Sequence, residues 1–355
     1  MSVLERTIKK IYPQDSEARD KAKDRLDNLA LPHWALGDLM DLAIDIAGMT
    51  RSLKPDVARK AIITMAADHG VVKENISKFP SEVTPQMVYN FVNGGAGINA
   101  LARQAGARIF VVDMGVAADL NNLADAGKII NKKVGLGTDN IAEGPAMSKA
   151  MARRAVESGI DIAENLSDEI DLFGTGDMGI GNTTPSTAIA AICTGRSVEE
   201  LTGRGTGLDD EQLAHKIEVI NRILEVNKVD TEDGLDILAK VGGFEIGGIA
   251  GVILGAAANR KPVLIDGFIS TAGALIACKI EPFIRDYLVF SHRSVEPGHK
   301  AMQEFLGCRK PLLDLSFRLG EGTGAAVAMN LVEGAVAILT EVATFEEAAV
   351  AGADK

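Results

Sequence analysis

Short apolar runs that end in aspartate or glycine alternate with longer amphipathic stretches from residue 60 onward, and this alternation constrains the fold more than any other feature. An apolar run that ends at a turn residue is typical of a buried strand, whereas the amphipathic stretches have helical spacing. Strands that alternate with helices predict βαβ units and a mostly parallel sheet. The apolar runs cover residues 60–70, 107–116, 128–135, 168–177, 261–268 and 286–294, and the clearest helical stretches cover 147–166 and 209–227.

Both ends of the chain are predicted to be helical. Residues 14–30 and 34–49 have helical spacing, and residues 324–350 read as one nearly continuous helix that is apolar and then acidic. We therefore predict an α/β fold with a Rossmann-like, mostly parallel sheet flanked by helices. The predicted domains are a core of residues 60–324 and a smaller helical subdomain of residues 1–59 and 325–355.

The charge balance argues against nucleic acid and anionic membranes as partners. With 49 acidic and 37 basic side chains the net charge is −12, which repels polyanions, so an anionic substrate needs local cations or backbone N–H groups. The first twenty residues have no apolar signal core. No apolar run is predicted to cross a bilayer; the best candidate, residues 247–260, is too short, and its glycines fit close helix packing. We expect a cytoplasmic protein.

The most informative segment is LFGTGDMGIGNTTPSTAIAAI, residues 172–192, which leaves a strand, crosses a glycine-rich turn around Asp177 and enters a helix. Exposed N–H groups in such a turn form an anion site. GTGDMG also matches the dinucleotide pattern G-x-G-x-x-G, but the helix starts late, and the acids Glu199 and Glu200 do not end a second strand. A mononucleotide phosphate therefore suits this loop better than a dinucleotide; a tight turn without a ligand is the alternative.

A second glycine turn, GRGTGLDDEQLAHK at residues 203–216, repeats this arrangement. It precedes a predicted helix that is capped by Asp209 or Asp210 and carries Lys216. Two glycine loops and a lysine can surround one phosphate monoester, although a solvated lysine is the commoner outcome. Asp266 ends another strand, where its carboxylate can receive ribose hydroxyls or hold its own loop.

RLGEGTGAAVAMN, residues 318–330, places one carboxylate, Glu321, between two glycines just before the C-terminal helix. The free N–H groups of a helix that starts near Gly324 would point at this carboxylate and lower its pKa. Burial under an aromatic substrate would raise the pKa instead. Glu321 is therefore predicted to be either a helix cap or a catalytic base.

Taken together, these segments resemble the nicotinate-nucleotide:dimethylbenzimidazole phosphoribosyltransferase family. The resemblance implies transfer of the 5-phosphoribosyl group of nicotinate mononucleotide to a ring nitrogen of 5,6-dimethylbenzimidazole, with inversion at the anomeric carbon. It also implies a homodimer that needs no metal or organic cofactor. The matching stretches, which run in order across residues 60–340, are ADHGVV, VTPQMVYNF, ADAGKIINKKVGLGTDNIAEGPAMS, LFGTGDMGIGNTTPS, KVGGFEIGGIAGVILGAA, PVLIDGFIS and RLGEGTGAA.

The resemblance implies a role for individual positions. The glutamate of the RLGEG motif, Glu321, is the general base that takes a proton from the attacking benzimidazole, and such help is worth about 10²–10⁴-fold. Nicotinate leaves as a neutral ring nitrogen and needs no general acid. A second acid corresponds to Asp177. The other implied contacts are Gly176, Gly179, Asn182, Gly205, Lys216, Asp266 and Ser291 for the nucleotide and its phosphate, and Ser81, Gln86, Met178 and Leu319 for the incoming base.

Two departures from the family leave the incoming base open. Most members carry glutamate at the position of Asp177, and the N-terminal turn reads LPHWALG at residues 31–37 where members carry Pro-Pro-Gly-Ser-Leu-Gly. A relative that activates a phenolic or purine base is therefore one alternative. An NAD-binding oxidoreductase built on GTGDMG and a nucleotide-binding protein without catalytic activity are the others.

Overall fold

A six-stranded parallel sheet forms the centre of the molecule, in the computed structural model that describes residues 1–205, 207–308 and 310–351. Its strands are β1 (Lys60–Ala67), β2 (Arg108–Gly115), β3 (Ile130–Asn131), β4 (Leu172–Met178), β5 (Val263–Ile265) and β6 (Leu288–Phe290). The order across the sheet is β3-β2-β1-β4-β5-β6. The chain therefore builds outward from β1 to one edge and from β4 to the other, and ligands bind at such a switch point, beyond the carboxyl ends of the strands.

A separate two-stranded parallel sheet lies beyond the end of β6. It pairs β7 (His292–Ser294) with β8 (Leu313–Phe317). The run predicted at residues 286–294 is therefore divided between two sheets, with Ser291 at the junction. The small sheet brings the segment after β8, which contains Glu321, beside the carboxyl ends of the main strands.

Helices cover both faces of the main sheet, which explains why β1 is buried along its whole length. Two 3₁₀ turns, Gly70–Glu74 and Pro282–Tyr287, connect strands to later elements. The α-helices of the described residues are α1 (Val3–Ile8), α2 (Ser16–Asp27), α3 (Asp38–Thr50), α4 (Val83–Val92), α5 (Gly97–Ala105), α6 (Asn121–Asp125), α7 (Lys149–Leu166), α8 (Thr183–Thr194), α9 (Val198–Leu201), α10 (Asp210–Val226), α11 (Gly234–Val241), α12 (Phe244–Ala258), α13 (Phe268–Ile280), α14 (Gly298–Phe305) and α15 (Thr323–Glu341).

Helices α7 and α12 pack against each other through glycines. A Cβ on Gly159 would collide with the carbonyl of Gly248, and a Cβ on Gly251 would collide with the carbonyl of Val156. Only glycine permits two helix backbones to approach this closely. The predicted close packing of residues 247–260 is confirmed.

The predicted α/β class and parallel sheet are confirmed, but the C-terminal helix is shorter than predicted. α15 ends at Glu341 rather than continuing to residue 350. Arg25 donates to the carbonyls of Leu339 and Val342, which occupies acceptors at the end of this helix. Residues 343–345 then pair with residues 28–30 through backbone hydrogen bonds, so tertiary pairing replaces the last helical turns.

α15 also corrects the prediction that no segment is long enough to cross a bilayer. By length and composition alone, Thr323–Glu341 passes that test. However, 56% of its apolar window is buried inside the molecule, where it packs on α3, α5 and the sheet. A core helix of this kind is expected to be as apolar as a membrane span.

The terminal helices lie together in space. α2 and α3 pack against each other, and α15 packs against both. α15 also contacts β4 and β5, so its sheet-facing side belongs to the core. The division into a core of residues 60–324 and a helical subdomain of residues 1–59 and 325–355 stays a prediction.

Candidate active site

One cleft of about 510 Å³ lies beyond the carboxyl ends of β4 and β5, beside the small sheet. Its apolar side chains are Phe79, Leu101, Phe268, Ile269, Phe317 and Leu319. Its polar lining includes Asp177, Asn182, Thr183, Gly205, Glu296 and Arg318. The cleft therefore combines flat apolar walls with hydrogen-bonding groups, which suits an aromatic ring joined to a polar group.

Glu321 borders this cleft between two residues that line it, Gly320 and Thr323. The side chain of Glu321 is only 5% exposed, and its backbone has a φ of +64°. A left-handed backbone in a residue other than glycine costs about 1–3 kcal/mol and is often found where a site needs a particular side-chain direction. The Glu321 carboxylate lies against the N-terminus of α5 rather than against the helix that follows it.

The Glu321 carboxylate accepts a hydrogen bond from the backbone N–H of Ile98, over 3.0 Å. Ile98 lies in the first turn of α5, so the helix N-terminus that faces Glu321 is that of α5. The prediction that the N–H groups of α15 point at Glu321 is therefore wrong. Burial raises the pKa of Glu321, the Ile98 N–H lowers it, and the charge of Asp266 raises it, so the net direction is upward. A raised pKa suits a general base.

The carboxylate at the start of α15 belongs to Asp266. One oxygen accepts from the N–H groups of Gly324, at 2.6 Å, and Ala325, at 3.1 Å. The other accepts from the N–H of Gly322 at 3.1 Å, and His292 Nε2 lies 3.7 Å from the first oxygen. Asp266 is buried, and both of its oxygens already accept hydrogen bonds from these backbone groups. This geometry supports a role in positioning the segment at the start of α15 rather than the predicted contact with ribose.

Asp177 lies at the end of β4 and lines the cleft. Its Oδ2 accepts from Asn182 Nδ2 at 3.0 Å, and its Oδ1 is buried without a hydrogen-bond partner among the described residues. Burial raises the pKa of Asp177 well above its ordinary value, and the charges of Asp266, Glu245 and Glu321 raise it further. Both effects favour the protonated form of Asp177, which can donate a hydrogen bond.

A buried pair lies behind Asp177. His69, which follows β1, hydrogen-bonds to Glu245 through its Nε2 at 2.8 Å, and both side chains are buried. Burial lowers the pKa of His69, but Glu245 outweighs it and the net direction is upward. The hydrogen bond to Glu245 and the burial of both side chains account for His69 as a structural residue.

A buried cation lies behind two residues of the polar end of the cleft, Thr183 and Gly205. Lys216, on α10, is 1% exposed, and its Nζ donates to the hydroxyl of Thr183 at 2.7 Å. A Cβ on Gly205 would lie 3.7 Å from Lys216 Nζ, so the predicted glycine turn and lysine lie side by side. Burial lowers the pKa of Lys216 to about 8, against a smaller upward effect of Glu296. The lysine is therefore buried rather than solvated, and at neutral pH it is still mostly protonated.

Three residues predicted to contact phosphate lie in packed surroundings. A Cβ on Gly176 would collide with the Glu321 carbonyl, and one on Gly179 would collide with the Ala67 carbonyl. The hydroxyl of Ser291 lies 2.6 Å from the Ile265 carbonyl and 2.9 Å from that of Asp266. Packing therefore accounts for these residues without a ligand, and their predicted contacts with phosphate stay untested.

Of the four residues predicted to hold the incoming base, one is among the lining residues of the cleft. Leu319 lines it and is 60% exposed. Met178 is half-buried at the end of β4, and Gln86 lies exposed on α4, with Ser81 just before that helix. The segment that contains Ser81 contributes Phe79 to the lining instead.

Sequence reasoning missed Glu296, Arg318 and the role of Thr183 in this cleft. Thr183 follows directly on Asn182, a predicted nucleotide contact, and this position is the signal that could have identified it. Arg318 begins the RLGEG motif, and its position next to Leu319 is the signal that could have identified it. For Glu296 there was no such signal, because an acid is not expected at an anion site.

Comparison with known proteins adds information that the geometry does not contain. A family model described as phosphoribosyltransferase matches residues 11–350. A nicotinate-nucleotide–dimethylbenzimidazole phosphoribosyltransferase of Desulfotalea psychrophila is 68% identical over 100% of both chains. The protein of the same name from Syntrophotalea carbinolica is 59% identical and covers 99% of each chain.

Solved structures are similar over nearly the same range. The crystal structure of CobT from Thermus thermophilus superposes with a TM-score of 0.90 at 43% sequence identity. The match covers 94% of this chain and 99% of that one. Likeness at this level extends to the whole arrangement of strands and helices around the cleft.

Proposed function

This chain belongs to the phosphoribosyltransferase family that includes these relatives, and we propose that it transfers the 5-phosphoribosyl group of nicotinate mononucleotide to 5,6-dimethylbenzimidazole. The enzyme class, a pentosyltransferase, follows from the family itself. The proposed products are nicotinate and α-ribazole 5′-phosphate. The observation that carries the proposal is the cleft with apolar walls, which is bordered by a buried carboxylate with a raised pKa, Glu321, and by a buried ammonium group, Lys216, behind its lining residues Thr183 and Gly205.

In the proposed reaction, Glu321 acts on the incoming base. One ring nitrogen of the benzimidazole attacks C1′, and the bond from C1′ to the nicotinate nitrogen breaks with its electron pair going to nicotinate. The proton on the other benzimidazole nitrogen passes to the Glu321 carboxylate. The same negative charge stabilises the positive charge that develops at C1′. The pKa of Glu321, raised by burial, makes the carboxylate a stronger base than it would be in water.

The groups around Lys216 are proposed to hold the phosphate. The ammonium group supplies the charge, and Gly205 and Thr183, which line the cleft beside it, supply an N–H and a hydroxyl. Leu319 and Phe79 are proposed to cover the faces of the base. Asp177 is proposed to donate a hydrogen bond from its Oδ1, which is buried without a partner among the described residues and whose protonated form the raised pKa favours.

The test is nicotinate release by the purified protein. Nicotinate mononucleotide is supplied with dimethylbenzimidazole, benzimidazole, adenine or p-cresol in separate reactions. Release that depends on an added base supports the transferase, and the ranking of the four bases decides between the dimethylbenzimidazole reading and the phenolic or purine alternatives. No release with any base, together with reduction of NAD by a candidate substrate, would favour the oxidoreductase.

The role of Glu321 is tested with Glu321→Gln. General-base help is worth about 10²–10⁴-fold, so kcat should fall by that factor while the affinity for nicotinate mononucleotide, measured by calorimetry, stays the same. The matched control is Glu341→Gln, at the exposed C-terminal end of α15, the helix that follows Glu321, and it should leave both quantities unchanged. Equal losses in kcat and affinity would reject the general-base role.

Three further properties stay predictions: a cytoplasmic location, a homodimer, and a reaction that needs no metal or organic cofactor. Sedimentation of the purified protein checks the dimer. Turnover after treatment with a chelator checks the metal.

A further inference from the structure

Glu296 lies at the polar end of the cleft, where a phosphate group is proposed to bind. It follows β7 and lines the cleft together with Thr183 and Gly205. A Cβ on Gly203 would collide with Glu296 Oε2, so this glycine leaves the space that the carboxylate fills. The Glu296 carboxylate therefore occupies part of the site that the family resemblance assigns to the nucleotide phosphate.

Glu296 and Lys216 affect each other's ionisation, although no direct ion pair joins them in the described residues. Burial raises the pKa of Glu296, whereas the Lys216 charge, hydrogen bonding from the Gly205 backbone and the Arg318 charge lower it, and the net direction is upward. In return Glu296 raises the pKa of Lys216 against the effect of burial. The charged groups that face Glu296 are thus Lys216 from α10 and Arg318 from the segment after β8.

We propose that Glu296 is a resident anion of the phosphate subsite, which keeps Lys216 charged while the cleft is empty and is displaced and protonated when the nucleotide phosphate enters. This inference rests on the proposed function. A phosphate monoester carries about −1.5 to −2 charges near neutral pH, so it and an ionised carboxylate repel each other in one subsite. The phosphate takes over the Gly205 N–H and the Lys216 ammonium, and Glu296 takes up one proton from the solvent.

This exchange links nucleotide binding to proton uptake by Glu296. An ionised carboxylate competes with the phosphate, which weakens binding at every pH where Glu296 must first be protonated. The carboxylate raises the pKa of Lys216 only while it is ionised, in the empty cleft, so this effect does not strengthen the complex. A purely structural glutamate would not link binding to proton uptake.

The test compares wild-type protein with Glu296→Gln in calorimetric titrations from about pH 6 to pH 9. The ligands are nicotinate mononucleotide and inorganic sulfate, and each titration is repeated in buffers of different ionisation enthalpy so that proton uptake is measured. Sulfate does not titrate in this range, so any proton taken up with it binds to the protein. Glu304→Gln, an exposed acid on α14 that pairs with Arg196 on the surface, is the matched control.

The variant should bind the nucleotide about tenfold more tightly than wild type near pH 6, because like-charge repulsion of this kind is worth several kcal/mol before screening. It should also take up less proton on binding sulfate at that pH. The gap should not close as the pH rises, because wild type must take up the Glu296 proton at every such pH and Glu296→Gln does not. The two affinity curves therefore do not cross, whereas Glu304→Gln should follow wild type.

Two results would overturn the inference while leaving the proposed function intact. In the first, base-dependent nicotinate release persists but the curves for wild type and Glu296→Gln superimpose. In the second, the variant binds more weakly by the same factor at every pH and melts at a lower temperature, which marks a structural role. If wild-type protein binds neither ligand and releases no nicotinate, the proposed function fails first, and this inference fails with it.

Discussion

Replacing Lys216 with methionine should stabilise the protein and weaken its binding of nicotinate mononucleotide at the same time. Lys216 is 1% exposed, and its pKa falls from 10.5 to about 8. Each pKa unit corresponds to about 1.4 kcal/mol, so keeping the buried ammonium charged costs about 3 kcal/mol at pH 7. Methionine has a similar length and no charge, so it removes this cost. The lost hydrogen bond to Thr183 offsets about 1 kcal/mol of the gain. The net gain in unfolding free energy is about 2 kcal/mol.

The pH dependence of this gain follows from the direction of the pKa shift. Below about pH 8 both the folded and the unfolded wild-type chains carry the Lys216 proton, and the full cost is present. Between about pH 8 and 10.5 only the unfolded chain keeps the proton, so the stability of wild type rises with pH. The difference between Lys216→Met and wild type should therefore shrink across this window.

Urea unfolding at pH 7 and at higher pH measures the stability, and calorimetry measures the affinity. Hydrogen bonds to charged groups are worth about 1.5–3 kcal/mol, so the affinity for nicotinate mononucleotide should fall by about 10- to 150-fold. Lys228→Met, an exposed lysine beyond the end of α10, is the matched control and should change neither quantity. A destabilised Lys216→Met protein, or one that binds the nucleotide as wild type does, would refute the reasoning.

Three further outcomes are expected. Asp266→Ala leaves three backbone N–H groups at the start of α15 without an acceptor. It should therefore lower the unfolding free energy by about 3–5 kcal/mol and should also lower kcat. A higher KM for the nucleotide at unchanged stability would instead support a contact with ribose. The profile of kcat/KM against pH should be bell-shaped. Glu321 must be ionised, so activity falls as the pH drops through its raised pKa, and Lys216 must be charged, so activity falls above about pH 8. A flat alkaline limb would contradict the role of the lysine. Gly176→Ala should lower kcat more than nucleotide affinity, because a Cβ there collides with the Glu321 carbonyl; a loss confined to affinity would restore Gly176 to the phosphate site.

The strands could be predicted from the sequence because each one is a continuous apolar run that ends in a turn residue. The boundary between β6 and β7 could not be predicted in this way. The run at residues 286–294 shows no break in its pattern, yet the Ser291 hydroxyl turns inward to the Ile265 carbonyl and the chain changes sheets there. Similarly, the acidic residues after Glu341 suit a helix, and only their pairing with residues 28–30 ends it.

The candidate site could be predicted in its residue types but not in its contacts. Glu321 and Lys216 were identified from glycine-rich segments before helices, and both border or adjoin the cleft. The helix that faces Glu321 is α5, which is distant in sequence, so local spacing pointed to the wrong N-terminus. Gly176 was assigned to phosphate because a motif does not show whether a glycine makes room for a ligand or for the backbone of its own chain.

The anchoring of Glu321 has a consequence for how activity is acquired during folding. Its carbonyl accepts from Thr64, 257 residues earlier in the chain, and its carboxylate accepts from Ile98, 223 residues earlier. The next residue, Gly322, donates to Asp266. Three distant segments must meet before the carboxylate has its working direction, and contacts so far apart in sequence are slow to form. Recovered turnover during refolding is therefore a late signal, and a fragment that lacks any of the three segments is inactive even where its helices have formed.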